Sequence, residues 1–235
     1  MFLQVVFYIP LWSLFNRVIY NGIYYCNDKL FKTDTHKLES ITTNIVSSYH
    51  SLKCLQFLFQ ESLKRDLYFT YDPFINYNSI ISYSISYFLY DFINEIRLNH
   101  FKFDMLFHHF MSIFSGIYLY SINISQLYLT ALFVESSNFN LNIKDIMDIL
   151  DLKDNNIYLI NGILFSITFF ISRIVYSPIC LKSAYFLTIE LTKYENINID
   201  YIPIILVSSF AILNLYWFSK IVKVWIYKYH KLIDS

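Results

Sequence analysis

The sequence predicts an all-α protein, a polytopic transmembrane helical bundle of about seven spans. Hydrophobic residues make up 56% of the 235 residues and charged residues only 15%, a composition too apolar for an ordinary water-soluble domain of this length. The apolar residues also cluster into about seven stretches, each close to the roughly 17 to 25 residues that a helix needs to cross a bilayer. Each stretch is therefore one candidate span.

The first three candidate spans differ in how apolar they are. Residues 1–25 lack the basic start and the cleavage site of a signal peptide, so we expect a retained span. Residues 41–59 are rich in Ser and Thr and include His50, a composition that suits a helix facing other helices rather than lipid. Residues 80–96 are strongly apolar around Asp91.

The fourth candidate span, residues 103–120, opens with Asp104 and carries the adjacent pair His108 and His109. At helical spacing Asp104 lies one turn from His108, so we expect its carboxylate to orient that imidazole. His109 points about 100° further round the helix. Ionisable groups inside a membrane are costly, which makes these three residues the first candidates for function.

The fifth candidate span, residues 126–142, combines apolar residues with several polar ones. The polar residues expected to face the bundle interior are Glu135, Ser137 and Asn142. The segment that follows, residues 143–156, contains four aspartates, and we expect it to be a solvated loop.

The last two candidate spans carry residues that we expect to be structural. Residues 158–181 include Arg173 and Pro178. We expect Arg173 to lie nearer the opposite face of the membrane from Glu135. Residues 201–226 include Trp217, a residue type that is common at membrane interfaces.

The loop charges predict an orientation in the membrane. Alternate loops hold nine Lys and Arg residues against four, so the positive-inside rule places the C-terminus in the cytosol. With this orientation several ionisable residues from four spans fall in the cytosolic half of the membrane, and we expect them to converge on one polar cavity. These residues are His50, Asp91, His108, His109 and Glu135.

Composition also excludes some classes of partner and cofactor. The formal net charge is zero, so no basic face is expected to bind nucleic acid. The three cysteines have no paired spacing and the histidines have no HExxH pattern, so we expect no metal site.

The polar residues, taken in order, resemble the TLC-domain family, a lipid-sensing helical domain related to ceramide synthases. The likeness rests on SSYHS, YFLYDFI, DMLFHH, the polar residues of the fifth span, SRIVYSPIC and LNLYWFSKIVK. The longer synthase signature beyond the double histidine is absent, because the sequence there reads LTALFVESSNFNLNIKDI. The closest likeness is therefore to the small non-synthase members of the family.

This resemblance implies a domain organisation and a function. Residues 41–228 would form a TLC-like six-helix membrane domain, preceded by a first span and cytosolic loop at 1–40 and followed by a short cytosolic tail at 229–235. The expected function is lipid sensing or binding and membrane lipid homeostasis, in the endoplasmic reticulum or another endomembrane. Membrane lipids are the expected partners, no cofactor is expected, and no protein partner is predicted.

The resemblance also leaves an enzymatic alternative open. In that alternative the chain is a lipid acyltransferase that uses acyl coenzyme A, with His108, His109 and Asp104 as catalytic residues. The lipid or polar cavity would be lined by His50, Asp91, Glu135, Ser137 and Asn142. The missing synthase signature favours the non-enzymatic function.

Overall fold

The fold is all-α throughout the part of the chain that the structure describes, which confirms the predicted helical membrane bundle. The structure is a computed structural model and describes residues 2–30, 34–64, 66–67, 77–98, 102–195 and 200–233. The α-helices are α1 (Phe2–Leu30), α2 (Thr35–Ser62), α3 (Asn78–Arg97), α4 (Phe103–Ser121), α5 (Ser125–Ala131), α6 (Ser136–Ile149), α7 (Asn156–Phe169), α8 (Ser177–Glu195) and α9 (Ile202–Ile233). A 3-10 turn, Leu132–Glu135, joins α5 to α6, and a π-helical segment, Phe170–Val175, follows α7 and leads towards α8.

Among the described residues, three helical segments are long and apolar enough to cross a membrane by length and composition. They are Phe2–Tyr25, Asn156–Tyr194 and Ile202–Tyr227. Only 11% to 22% of the most apolar window of each is buried inside the protein, so these segments expose most of their apolar surface. The other helices carry more polar residues, and α2 turns Thr42, His50 and Ser51 into the bundle.

Side-chain caps explain where several helices begin. The Asp34 carboxylate accepts a hydrogen bond from the Lys37 backbone nitrogen at 2.8 Å at the start of α2. The Asn155 side chain accepts one from the backbone nitrogen of Ile157 at 2.8 Å at the start of α7. Both contacts satisfy a backbone N–H group that has no partner within its own helix.

The prediction that residues 143–156 form a solvated loop is wrong for Asp145 and Asp148. Helix α6 continues to Ile149, so Asp145 and Asp148 belong to the helix. Lys144 stabilises this extension because its ammonium group lies 3.4 Å from the Asp145 carboxylate and 2.7 Å from that of Asp148, one turn away. Burial raises the pKa of Asp148, but hydrogen bonds from Lys144 and Tyr158 outweigh burial and hold that pKa below its ordinary value.

Small residues bring α3 and α4 close together beside the site. A Cβ atom at Gly116 would lie 2.8 Å from the Ile85 side chain and 3.0 Å from the Tyr128 ring. Ser112 and Ser115 are buried one turn away and next to this glycine, on the same part of α4. The close approach allows side chains from α3 and α4 to meet in the bundle interior.

Candidate functional site

Two histidines of α4 each face a carboxylate from another part of the bundle. His109 Nε2 lies 3.2 Å from the Asp91 carboxylate of α3, and His108 Nε2 lies 3.7 Å from the Glu135 carboxylate. All four residues are buried, and Asp91 also accepts a hydrogen bond from the Tyr87 hydroxyl at 3.2 Å. The adjacent histidines therefore have separate carboxylate partners, one from α3 and one from the 3-10 turn Leu132–Glu135.

A hydrogen-bonded network connects Glu135 to Arg173. The Asn138 amide nitrogen donates to Glu135 at 2.7 Å, and the Asn138 amide oxygen accepts from the Arg173 guanidinium at 2.8 Å. The same guanidinium donates to the Ser137 hydroxyl at 2.9 Å and to the Asn214 side-chain oxygen at 3.1 Å. Arg173 is thus a buried charge whose donors are shared among side chains from α6 and α9.

The π-helical segment brings Arg173 into this network. The Tyr176 backbone nitrogen donates to the Ile171 carbonyl at 3.1 Å, the five-residue spacing of a π-turn, and such turns are frequent at functional sites. The guanidinium lies 5.2 Å from the Phe169 ring centre and 5.3 Å from the Trp217 ring centre. Aromatic faces on two sides favour a cation at this position.

The expectation that Arg173 lies nearer the opposite face from Glu135 is wrong. The two residues share Asn138 as a hydrogen-bond partner. The error arose because the fifth span was expected to end at residue 142, whereas α6 continues to Ile149. Glu135 consequently lies roughly 20 Å from the end of its helix, at about 1.5 Å per residue, and so deeper than a helix ending at residue 142 would place it.

Asp104 contacts α9 instead of orienting His108. Its carboxylate accepts hydrogen bonds from the Trp217 indole nitrogen and the Lys220 ammonium group, each at 2.9 Å. The Trp217 ring in turn packs against the His108 ring, with 5.4 Å between ring centres. Trp217 and Lys220 are therefore site residues whose roles sequence reasoning missed, although their three-residue spacing places them on one face of α9.

His50 lies one layer behind the paired histidines. Its ring stacks on the Tyr87 ring with 3.8 Å between centres, and its Nε2 lies 3.3 Å from the Ser84 hydroxyl and 3.4 Å from the Cys54 sulfur. Tyr87 separates this cluster from the Asp91 carboxylate to which its hydroxyl donates. His50 is therefore connected to the His109 pair through Tyr87, and also through the Phe88 ring, whose centre lies 5.4 Å from that of His50 and 6.0 Å from that of His109.

Two cavities of opposite character meet at the histidines. The larger, which we call the polar cavity, has a volume of about 880 Å³, and its lining includes Asp91, His109 and Asn142. The smaller, which we call the apolar slot, has a volume of about 70 Å³ and runs between α4, α5, α8 and α9. Three residues line both spaces, and these are Phe88, His108 and Glu135.

A family model of the TLC domain matches residues 38–223, most of the chain. The chain belongs to the TLC-domain family. The match begins in α2 and ends in α9, so it contains every residue of the site described above. No curated protein matches the chain.

The TLC domain supplies the site with hydrogen-bonding and proton-transfer groups. Within the described residues, no group of three His, Cys, Asp or Glu side chains is arranged to hold a metal ion. Neither His108 Nδ1 nor His109 Nδ1 has a hydrogen-bond partner among those residues, although both atoms are buried. The paired imidazoles can therefore hydrogen-bond a polar group that enters the cavity. Pro178 lies apart from these groups, in the first turn of α8.

Proposed function

We propose that this TLC-domain protein binds a membrane lipid and acts in membrane lipid homeostasis in the endoplasmic reticulum or another endomembrane. The observation that carries the proposal is the junction of a polar cavity and an apolar slot at His108 and Glu135. A lipid has the same division, with a polar headgroup joined to an apolar chain. In the proposed complex the headgroup occupies the polar cavity and part of a chain enters the slot.

The dimensions and the lining of the polar cavity support this assignment. Its volume of about 880 Å³ falls within the range of roughly 300 to 1,000 Å³ that small-molecule sites occupy. Its walls offer both acceptors and donors, since Asp91 and Glu95 line it together with Lys102 and Lys220. Such a mixture can satisfy a headgroup that carries several polar atoms.

Lipid binding is tested on the full chain purified from membranes, with native mass spectrometry of the bound lipids. Ser40→Trp places an indole on the wall of the polar cavity and should reduce the fraction of protein that carries lipid. Ser48→Trp is the matched control, because Ser48 is on the same helix and does not line that cavity. Equal lipid occupancy in the two variants and the wild type would contradict a headgroup site in this cavity.

The role in lipid homeostasis needs a cellular measurement. Cells that lack the protein should show altered phospholipid or sphingolipid acyl profiles, and the wild-type chain should restore them. Ser40→Trp should restore them less well than Ser48→Trp. Unchanged profiles after depletion would remove the homeostatic role and leave lipid binding to be judged separately.

A lipid acyltransferase is the second candidate, and the His109–Asp91 pair favours it. If His109 Nε2–H donates to Asp91 at 3.2 Å, Nδ1 is the nitrogen that can accept a proton. In that reaction the hydroxyl or amine of a lipid acceptor attacks the thioester carbonyl of acyl coenzyme A, and His109 takes its proton. The carbon–sulfur bond then breaks, and the imidazolium returns the proton to the thiolate.

His109→Gln separates the two candidates. The glutamine amide nitrogen can still donate to Asp91, but the side chain cannot take up a proton at neutral pH. A binding protein should retain its bound lipid and show no acyl transfer in either form. A transferase should turn over acyl coenzyme A with sphingoid or lysolipid acceptors and lose that turnover by about 10² to 10⁴-fold in the variant.

A further inference from the structure

The apolar slot contains two buried hydroxyl groups that lack hydrogen-bond partners among the described residues. They are the Ser115 hydroxyl of α4 and the Tyr128 hydroxyl of α5, whose residues are 4% and 3% exposed. Both residues line the slot, whose other walls are mainly hydrocarbon, including Leu127 and Phe210. Buried hydroxyls without partners are uncommon, because each one has given up its hydrogen bonds to water.

Ser115 differs from most serines in these helices. A helical serine usually donates to a carbonyl of its own preceding turn, as Ser121 does to Tyr118 and Ser166 does to Gly162. Ser115 makes no such bond although the residue lines the slot, so its hydroxyl has no hydrogen bond to lose when it meets a polar group there. A serine whose hydroxyl is bonded to its own helix would need no ligand as a hydrogen-bond partner.

The two hydroxyls belong to the same end of the slot. Ser115 lies about two turns along α4 from His108, a rise of roughly 10 Å. The Tyr128 ring approaches α4 at Gly116, since a Cβ atom there would lie 3.0 Å from Tyr128 Cε2. The slot thus has polar groups near the histidines and again roughly 10 Å away, with Ser112 of α4 between them and mainly apolar residues on the remaining walls.

We propose that the apolar slot binds a lipid chain that carries a hydroxyl group roughly 10 Å from the histidines, at the position of Ser115 and Tyr128. The inference rests on the proposed lipid-binding function and names the class of chain. A ligand hydroxyl can donate to one of the two protein hydroxyls and accept from the other, which an unsubstituted hydrocarbon cannot do. A charged group is a poorer match, because the lining residues of the slot include no Lys or Arg.

The test uses the full wild-type chain in lipid nanodiscs. Octadecanoic acids with a single hydroxyl at successive chain positions are mixed with unsubstituted octadecanoic acid, and the bound species are quantified by native mass spectrometry. A parallel series presents the same chains as lysophosphatidylcholines. We expect a preference on the order of tenfold for one hydroxyl position over the unsubstituted chain, the effect of one or two well-formed neutral hydrogen bonds.

Variants that remove one oxygen atom identify the groups responsible. Ser115→Ala and Tyr128→Phe should each lower the preference for the hydroxylated chain while keeping the affinity for the unsubstituted chain. Ser121→Ala on the exposed end of α4 and Tyr185→Phe on the exposed side of α8 are the matched controls and should keep the preference. Thermal unfolding of all four variants shows that the comparison is made on folded protein.

The possible outcomes separate this inference from the proposed function. Binding of hydroxylated and unsubstituted chains with equal affinity, unaffected by either slot variant, would overturn the inference, assign water as the partner of both hydroxyls, and leave lipid binding intact. Binding of no member of either series, together with no lipid retained from the source membrane, would overturn both. A positional preference that persists in Ser115→Ala and Tyr128→Phe would also refute the assignment to these residues.

Discussion

Arg173→Met tests whether the buried hydrogen-bonded network stabilises the bundle. The substitution keeps an unbranched side chain of similar reach and removes the guanidinium. The three acceptors that lose a donor are the Ser137 hydroxyl, the Asn138 amide oxygen and the Asn214 amide oxygen. Because Arg173 is 3% exposed, water cannot readily replace those donors without opening the packing.

The magnitude follows from the contacts that are lost. Each buried acceptor left without a donor costs about 1 to 3 kcal/mol, and the stacked Phe169 and Trp217 rings add up to about 2 kcal/mol of cation–π interaction. Removing the guanidinium also removes its own desolvation cost, so the expected net loss is about 3 to 5 kcal/mol. At about 2 to 4 °C per kcal/mol for a chain of this size, the unfolding midpoint should fall by about 6 to 20 °C.

The assay is thermal unfolding of the purified chain in one detergent, followed by helical circular dichroism. Arg97→Met is the matched control, because Arg97 forms an exposed ion pair with Glu39 at 3.3 Å. Such a pair contributes about 0 to 1 kcal/mol, so the control should melt within about 4 °C of the wild type. An Arg173→Met midpoint as close to the wild type as that of the control would refute the argument that the network is a main source of stability.

Two further predictions concern single positions. Gly116→Ala should destabilise the protein by about 1 to 3 kcal/mol, because the new methyl group meets Ile85 at 2.8 Å, whereas Gly162→Ala meets nothing within 4 Å and should be neutral or stabilising. Thermal unfolding of the two alanine variants measures this difference. The folded-state pKa of Asp148 lies below its ordinary value near 3.8, so its ion pair stabilises the fold above that pH and is lost as the pH falls through the folded-state pKa. The difference in unfolding midpoint between wild type and Asp148→Asn should therefore be present at about pH 7 and disappear at low pH, and a difference independent of pH would contradict the ion-pair explanation.

The contacts of Asp104 could not be predicted from its position along α4 alone. Its four-residue spacing from His108 correctly implies that the two side chains share a face of α4. The spacing carries no information about which neighbouring helix presents a stronger donor. Helix α9 presents Trp217 and Lys220 to the carboxylate, and the charge-assisted hydrogen bond from this neighbouring helix is preferred to one from the imidazole one turn along α4.

The depth of Glu135, measured from the end of its helix, also could not be predicted from its own segment. An ionisable side chain inside an apolar stretch is enough to mark it as a candidate site residue. Its depth depends on the end of the helix, and the sequence predicts that end at residue 142, before the segment 143–156 with its four aspartates. Helix α6 continues beyond this point because Met147 is buried and the Lys144–Asp148 ion pair, one turn apart, supports the helix.

The amino-acid sequence by itself determined that this chain is a bundle of membrane helices of the TLC-domain family. Hydropathy and segment length depend only on local composition, and so does the occurrence of ionisable residues within apolar segments. The tertiary structure alone decided that His108 faces Glu135 and His109 faces Asp91, and that Arg173 joins the network through Asn138. These pairings join residues on different helices, and their distances depend on how the helices are rotated and shifted against one another, which packing sets and local sequence does not encode.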